Sequence, residues 1–542
     1  MSVGVRQALG TAKGKVSRIL SLGLIGLTLF GCGGQEEGAR SGASYSAGQV
    51  SAPAAIPKVS YYAASRFLEQ ATWGPTPERI AEVQALGFEA WIEKQFNLPV
   101  TQIKDVPRSV THFDGSVQDE VRRAYDWPTE RSAELFFSEP DQLRQRVSWA
   151  LFNYIPLFIQ PYGMIEHYNL LHRNAFGSHK SLLIDLSKSP AMGFFLSNSQ
   201  NSSRRLNENY ARELLQLFSV GLVQLNADGS IKRDGSGRPV ETYSQEDVRD
   251  ATRALTGWRF DNSVPNLPFP GNFANFGFPM VPNEDSHDKG SKRVMGKSIP
   301  AGQTAQRDLE SLITILVDHP NAGPFLARRL IQSMVASEPS PQYVGRVVVA
   351  YRSAGNSLRA AVKAVLLDPD ARAGDRIGAG AGLTGRMKDS LLTSTTLLLG
   401  LGCDRPPEGF WMGYGQSFFR APNVFGFISP DYRTPGSLVN VPEQTLLTSK
   451  ILSARSTAAF HPSRASYRSA GCDIDALEAA IAQSDDRFLN ELSDRFFRGA
   501  MPARLRSEVR DLLNGDKTAP PGRRFDLALS VLLASVEFGV VE

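Results

Sequence analysis

Residues 141–155 have the sequence DQLRQRVSWALFNYI, and apolar side chains recur in it at Leu143, Val147, Ala150, Leu151 and Tyr154. Apolar residues spaced three and four positions apart lie on one face of an α-helix. The stretch therefore predicts a packed helix. Similar helical periods, separated by Pro, Gly, Asn and Asp, run through most of residues 58–400 and return from residue 474 onward.

Three segments break this helical pattern. Residues 221–243 contain the turn-forming pairs Asp228-Gly229 and Asp234-Gly235 between apolar residues, which predicts a small β-ribbon. Residues 262–300 and 404–440 are rich in Pro, Gly and aromatic residues and have no period, so we expect long irregular loops, which are often functional.

The predicted fold is mainly α: a multi-helical globular body with one small β-ribbon and long irregular loops. We expect a helical core at 58–400, and an irregular loop region with C-terminal helices at 401–542 as part of the same domain.

The first 31 residues predict a signal peptide. Ile19 to Gly31 form an apolar run of 13 residues, shorter than the roughly 20 that span a bilayer. The following Cys32 completes a sequence that resembles a bacterial lipoprotein signal, although Phe30 is bulkier than usual there. The alternative is an ordinary secretory signal with an incidental cysteine.

Under the lipoprotein hypothesis Cys32 is acylated, and residues 32–57 form a flexible Gly- and Ser-rich tether. The protein is then expected in the bacterial cell envelope, lipid-anchored to a membrane. No Asp follows Cys32, which favours the outer membrane.

The charge pattern does not favour nucleic-acid binding. The chain carries 59 basic and 55 acidic side chains, a formal charge of +4. Four of the basic residues and none of the acidic ones lie in the predicted leader, so the remainder is neutral. Nucleic-acid binding needs a sustained basic surface, and we expect no nucleic-acid partner.

Cysteine spacing gives no cofactor motif. Cys403 and Cys472 form either a disulfide or two buried thiols, and no CxxC, zinc or haem pattern is present. We therefore expect no metal and no other cofactor.

The segment at 207–218, NENYARELLQLF, is the most informative for function. Glu208, Arg212 and Glu213 lie opposite its apolar face, and Glu208 is four residues from Arg212. The face is either a solvated helix surface or a polar cluster that lines a cleft, in which arginine keeps carboxylates ionised.

Four further polar residues are candidates. Asp247 follows Ser244 at capping-box spacing, so capping of a helix would explain this residue without a role in catalysis. The adjacent His287 and Asp288 would suit acid–base chemistry or metal ligation. With His319, the hypothetical site comprises Glu208, Arg212, Glu213, Asp247, His287, Asp288 and His319. Its metal-dependent version requires three of the last four residues to converge.

Several ordered motifs resemble the bacterial domain-of-unknown-function 1800 family over about residues 60–540. They are RFLEQATWGPT (66–76), LRQRV (143–147), NAFG (174–177), residues 208–221 and 243–258, HDKG (287–290), residues 319–330, and residues 416–436 with PNVF (422–425) and SPDY (429–432). The resemblance implies a secreted or envelope-bound protein. It carries over no catalytic residues, because none is established for these motifs.

Genes of that family often neighbour those of the domain-of-unknown-function 1501 family, which is similar to sulfatases and alkaline phosphatases. The resemblance thus implies such a protein as a partner. One hypothesis is a non-enzymatic helical binding module that acts with it, because the common catalytic templates are absent. The alternative is an envelope hydrolase that uses the Glu/Arg/His/Asp cluster, with or without a metal. The sequence leaves open whether the protein is an enzyme.

Overall fold

The computed structural model describes residues 59–104, 132–159, 161–261, 263, 275–377, 385–407, 410, 416, 421–436, 440–457 and 463–541. All of them belong to one compact unit at 57–542. The predicted signal peptide (1–31) and the tether (32–57) with its lipid acceptor Cys32 lie outside the described residues and stay predictions. No helix within the described ranges is both long and apolar enough to cross a membrane.

The prediction of a mainly α fold is confirmed. The helices of the first half are α1 Tyr61–Ala71, α2 Pro77–Leu86, α3 Phe88–Phe96, α4 Gln142–Tyr154, α5 Pro161–Asn174, α6 His179–Lys188, α7 Pro190–Phe195, α8 Asn209–Glu213 and α9 Gln245–Ala254. Those of the second half are α10 Ala305–Asp318, α11 Ala322–Met334, α12 Pro341–Ser353, α13 Leu358–Leu367, α14 Pro369–Arg372, α15 Ser390–Gly400, α16 Ser449–Thr457, α17 Arg464–Ser469, α18 Ile474–Gln483, α19 Asp485–Phe497, α20 Ala503–Gly515 and α21 Pro521–Ala534. Residues 132–138 are also helical.

Many of these helices begin at a Ser, Thr or Asp whose side chain caps the first turn. Ser60, for example, accepts a hydrogen bond from the Ala63 amide at 3.1 Å. Such caps satisfy backbone N–H groups that have no partner inside the helix. Local sequence therefore determines where these helices start.

The ribbon at 221–243 consists of short antiparallel bridges that join Val223 to Glu241, Leu225 to Ile231 and Arg233 to Pro239. Gly229 and Gly237, in its two turns, have φ of +77° and +81°. Glycine adopts this left-handed conformation without steric cost.

In the described ranges, three two-stranded antiparallel sheets accompany the ribbon. They pair β1 Trp258–Arg259 with β2 Val281–Pro282, β3 Lys292–Val294 with β4 Lys297–Ile299, and β5 Arg386–Met387 with β6 Val540–Val541.

The irregular loop expected at 262–300 is therefore partly ordered in strands, since β2, β3 and β4 lie in its described part. The β3–β4 turn has positive φ at Met295 (+47°) and Gly296 (+77°). Two-residue hairpin turns favour Asn-Gly or Asp-Gly for this geometry. Because methionine stands at the first position, the sequence carries no recognisable hairpin signal.

Buried apolar side chains form two clusters, one within residues 64–399 and one within 397–538. Helix α15 is buried along its whole length and contributes to both, with Leu392 in the first and Leu398 in the second. Cys403 and Cys472 form a disulfide in the second cluster.

Candidate functional site

A large cleft opens between helix α11, the ribbon and the irregular segment at 421–443. Its volume is about 660 Å³, which is within the range of small-molecule pockets. We call it the arginine cleft. Its lining residues are Asn153, Tyr154, Gln216, Leu217, Gly221, Leu222, Val223, Leu225, Gly229, Ser230, Ile231, Phe325, Arg328, Arg329, Gln332, Ser333, Glu338, Arg386, Val424, Phe425, Ile428, Ser429, Pro430, Asp431, Arg433, Asn440, Pro442 and Glu443.

Asn321, immediately before helix α11, fixes the ribbon wall of the cleft. Its side-chain oxygen accepts from the Leu225 amide at 2.9 Å. Its amide nitrogen donates to the carbonyls of Val220 (3.1 Å) and Val223 (2.7 Å). The buried Asn321 side chain thus joins the backbone between Val220 and Leu225 to the start of α11.

A π-helix at Leu214–Ser219 forms the next part of the wall, where the sequence predicted continuation of a regular helix. The wider turn carries Gln216 and Leu217, which line the cleft. Gly221 follows with φ +77°, and a Cβ there would lie 2.9 Å from the Phe325 ring. Glycine is therefore required both for the backbone turn and for close packing on α11. π-Helical turns are frequent at functional sites.

Side chains next to α11 hold the irregular segment in place. Gln332 donates to the Pro430 carbonyl at 3.1 Å. Glu338 accepts from the Asn440 amide at 2.9 Å. The segment is thus held at Pro430 by α11 itself and at Asn440 by Glu338, which lies four residues beyond the end of α11.

Arginines from two elements converge in the cleft. On α11, Arg328 donates to Glu338 at 3.2 Å. Its neighbour Arg329 lies over the Phe325 ring at 5.0 Å. From β5, Arg386 donates its Nε hydrogen to Glu443 at 3.1 Å.

These guanidinium groups are not fully satisfied. Within the described residues, Nε of Arg328 and Nη1 of Arg329 and Arg386 are buried without a hydrogen-bond partner. The Arg386 side chain is only 1% exposed. A buried donor without an acceptor costs about 1–3 kcal/mol, and more when it is charged. An acceptor brought by a ligand would remove that cost.

The cleft carries a net positive charge, since its lining contains four arginines and three carboxylates. One of those carboxylates, Asp431, is 72% exposed and 4.0 Å from Arg329, so it compensates little. Burial lowers the pKa of Arg329 to about 10, and Asp431 opposes the shift. Arg329 therefore remains protonated at neutral pH.

A further arginine lies beneath this lining. Arg146 of helix α4 is completely buried and donates to the Ser333 carbonyl. Burial, with the nearby charge of Arg386, lowers its pKa to about 9, while Asp389 and Glu443 oppose the shift. It too remains a cation and adds positive potential to the cleft.

Two carboxylates of the cleft, buried Glu443 and one-third-exposed Glu338, bind the arginines and the irregular segment. Glu338 binds Arg328 through Oε1 and the Asn440 amide through Oε2. Glu443 binds Arg386 through Oε1 and the Ser337 hydroxyl through Oε2. With both oxygens of each engaged, this arrangement suits recognition of an anion better than proton transfer.

The site residues predicted from sequence lie elsewhere and fall into separate groups. Glu208 accepts hydrogen bonds from Arg212 (2.8 Å) and Gln245 (2.9 Å) where α8 meets α9. Half-buried Glu213 follows, and burial raises its pKa while Arg212 opposes the shift. These three predicted residues therefore share one partly exposed polar group. It adjoins the π-helix of the cleft in sequence.

Asp247 has a structural role, as the capping-box pattern predicted. Its carboxylate accepts from the Ser244 amide at 2.8 Å, and Ser244 caps helix α9 in return. The second oxygen of Asp247 accepts from the Met295 amide at 2.6 Å. It thus joins α9 to the β3–β4 turn.

His287 and Asp288, adjacent in sequence, have different partners. The His287 side chain is 0% exposed and lies 3.1 Å from buried Asp308. Asp288 accepts two hydrogen bonds from Arg253, at 2.9 and 3.1 Å, and these lower its pKa. Nδ1 of His287 contacts Thr256 and Nε2 contacts Asp308, so the hydrolase hypothesis has no free imidazole nitrogen at this position.

His319 lies apart from those residues, beside Asn321 at the start of α11. Its Nδ1 accepts from the Asn321 amide at 3.2 Å, and burial and Arg352 lower its pKa. The described part of the chain brings together no group of three or more His, Cys, Asp or Glu side chains that would hold a metal. The convergence that the metal-dependent hypothesis required is thus absent among its four candidates.

Sequence reasoning did not identify the arginine cleft. A usable signal exists on α11, where Phe325, Arg328, Arg329 and Gln332 follow helical spacing. Two adjacent arginines beside an aromatic residue on an otherwise apolar helix indicate a functional polar face. No comparable local signal marks Arg386, which reaches the cleft through β5.

The match to a protein family agrees with the resemblance seen in the sequence. The chain belongs to the family described as "Protein of unknown function (DUF1800)", whose model matches residues 66–540. Comparison with curated proteins and with solved structures gave no match.

Proposed function

We propose that this protein is a non-enzymatic binding module of the bacterial envelope. It is anchored through lipid on Cys32 and acts with an exported partner protein of sulfatase or phosphatase type. The observation that carries the proposal is the arginine cleft. It offers a net positive charge and buried guanidinium donors that find no acceptor among the described residues, and the carboxylates of Glu338 and Glu443 are already engaged. An anionic ligand would accept the hydrogen bonds that these arginines do not make within the protein.

The position of the family motifs supports the same function. Segments through which the chain resembles its family form three sides of the cleft: the π-helix and Gly221, Arg328 with Arg329 on α11, and the stretch from Val424 to Asp431. Their meeting at one cavity favours a role in binding shared by such proteins. The leader sequence supports the envelope location.

The test is recovery of partners from the native membranes. We expect the lipidated wild-type protein to retain a sulfatase- or phosphatase-like protein in stoichiometric amount, identified by mass spectrometry. Arg329→Gln should lose it. The matched control is Arg504→Gln on helix α20, whose side chain is 86% exposed and pairs with Glu508. Equal recovery by both variants would exclude the cleft as the binding site.

Anchoring is tested separately with Cys32→Ser. We expect this variant to leave the membrane fraction while the wild type stays in it, because acyl chains supply most of the affinity for lipid. A variant that sediments as firmly as the wild type would contradict lipid attachment at Cys32.

A further inference from the structure

We infer that the arginine cleft binds an acidic peptide segment of a partner protein, with one carboxylate between apolar residues. This inference rests on the proposed function and specifies its ligand. Three features of the cleft select such a segment over other anions: its donors, its acceptors and its apolar rim.

The unpaired donors favour a compact anion. Nη1 of Arg329 and Nη1 of Arg386 have no hydrogen-bond partner in the described part of the chain, although both atoms are buried. The lining carries one positive charge in excess of its carboxylates. A single carboxylate would balance that charge and accept from the guanidinium groups in the planar geometry that arginine favours.

The acceptors require that the same ligand also donates hydrogen bonds. Oε1 of Gln332 is buried without a donor among the described residues, and its assignment is fixed because Nε2 donates to two carbonyls. Oδ1 of Asn153 is also buried without a donor among the described residues. Sulfate and chloride offer no hydrogen-bond donor. A peptide brings backbone N–H donors together with its carboxylate.

The rim favours apolar side chains as neighbours of that carboxylate. Leu222, Ile231 and Phe425 are each about half exposed although they border the cleft. Apolar groups exposed around a polar site are typical of protein-binding surfaces. Two of the three are aliphatic and offer sugar hydroxyls no hydrogen bond, which favours a peptide over an acidic glycan.

Fluorescence anisotropy with the purified full-length protein tests the inference. The probe is a pool of labelled octapeptides with blocked termini, in which one Glu is flanked by Leu, Ile, Val and Phe. The matched pool has Gln in place of Glu. We expect the Glu pool to bind about 10- to 100-fold more tightly, the range for a charge-assisted hydrogen bond. Arg329→Gln should abolish this difference, and Arg504→Gln should retain it.

If Arg329→Gln does not fold, Ile231→Ser carries the test, because its half-exposed side chain contributes little to the core. We expect it to weaken binding of the Glu pool about fivefold or more. Equal affinity for the two pools, or an unchanged affinity in Ile231→Ser, would overturn the inference. Tighter binding of polygalacturonate than of the Glu pool would assign the cleft to glycans instead.

The two proposals fail in different ways. If the wild-type protein recovers its partner but does not bind the Glu pool, the proposed binding function stands and the inference of an acidic peptide ligand is refuted. Loss of partner recovery in every form of the protein refutes the function itself.

Discussion

The buried ion group around Asp308 gives a testable prediction for stability. Oδ2 of Asp308 lies 2.5 Å from Nζ of Lys292 and 3.1 Å from Nε2 of His287. All three side chains are at most 1% exposed. Lys292 also donates to the Gly290 carbonyl at 2.9 Å. The carboxylate is therefore the buried counter-charge that this ammonium contacts most closely.

Asp308→Asn removes that charge and keeps the side-chain volume, so no cavity contributes. The ammonium of Lys292 is then buried without its nearest counter-charge. Removing one partner of a buried pair costs about 3–5 kcal/mol, and we expect a loss of this size in the free energy of unfolding. The double variant with Lys292→Met should recover most of it, because replacement of a whole buried pair by apolar groups is often neutral.

Urea unfolding followed by tryptophan fluorescence measures these changes. The matched control is Asp486→Asn, whose carboxylate is 71% exposed and pairs with Arg510. We expect a loss below about 1 kcal/mol for the control. The reasoning is refuted if Asp308→Asn loses no more than the control, or if the double variant is less stable than either single variant.

Four further predictions follow from local contacts. Gly257→Ala should cost at least about 2 kcal/mol, since φ is +87° and the new Cβ would lie 2.8 Å from the Asn283 carbonyl oxygen; in urea unfolding Gly237→Ala, with φ +81° and open space, should cost only about 1 kcal/mol. Ser244→Ala should lose about 1 kcal/mol in the same assay because the capping box of α9 is broken. Replacing both Cys403 and Cys472 by Ala should cost about 4 kcal/mol for a loop of 69 residues, and a reductant should lower the unfolding midpoint of the wild type alone. Arg253 lowers the pKa of Asp288. This pair therefore contributes its full stability above the ordinary carboxyl pKa near 4, and the contribution is lost as the pH falls through the lower pKa of the folded state. The difference in unfolding free energy between wild type and Arg253→Gln should narrow below about pH 4, and a difference that stays constant with pH would contradict the assignment.

Local sequence was sufficient to predict the helices and one structural role. Apolar spacing identified α4, the DG pairs identified the ribbon turns, and Ser244 with Asp247 identified a capping box that the structure contains. Each depends on contacts between residues a few positions apart. The β3–β4 hairpin escaped because Met295 adopts a conformation that its residue type seldom takes.

Burial of charge could not be deduced in the same way. Helix α4 has the apolar period of a half-exposed helix, yet Arg144 and Arg146 are buried along with its apolar face. The sequence similarly left His287 available for chemistry, but its side chain is buried and contacts Asp308 and Thr256. Whether a polar side chain faces water depends on elements that pack over it from distant parts of the chain.

The chain's local patterns thus establish its helical class and the start of many of its elements, because hydrogen bonds and apolar periods act over a few residues. The arginine cleft exists only after folding. Its walls come from the end of α4, the ribbon, α11, β5 and the segment at 421–443, which are up to about 290 positions apart. Their convergence is decided by burial of the shared core and by amides such as Asn321 that join remote backbones, and no short stretch of residues encodes it.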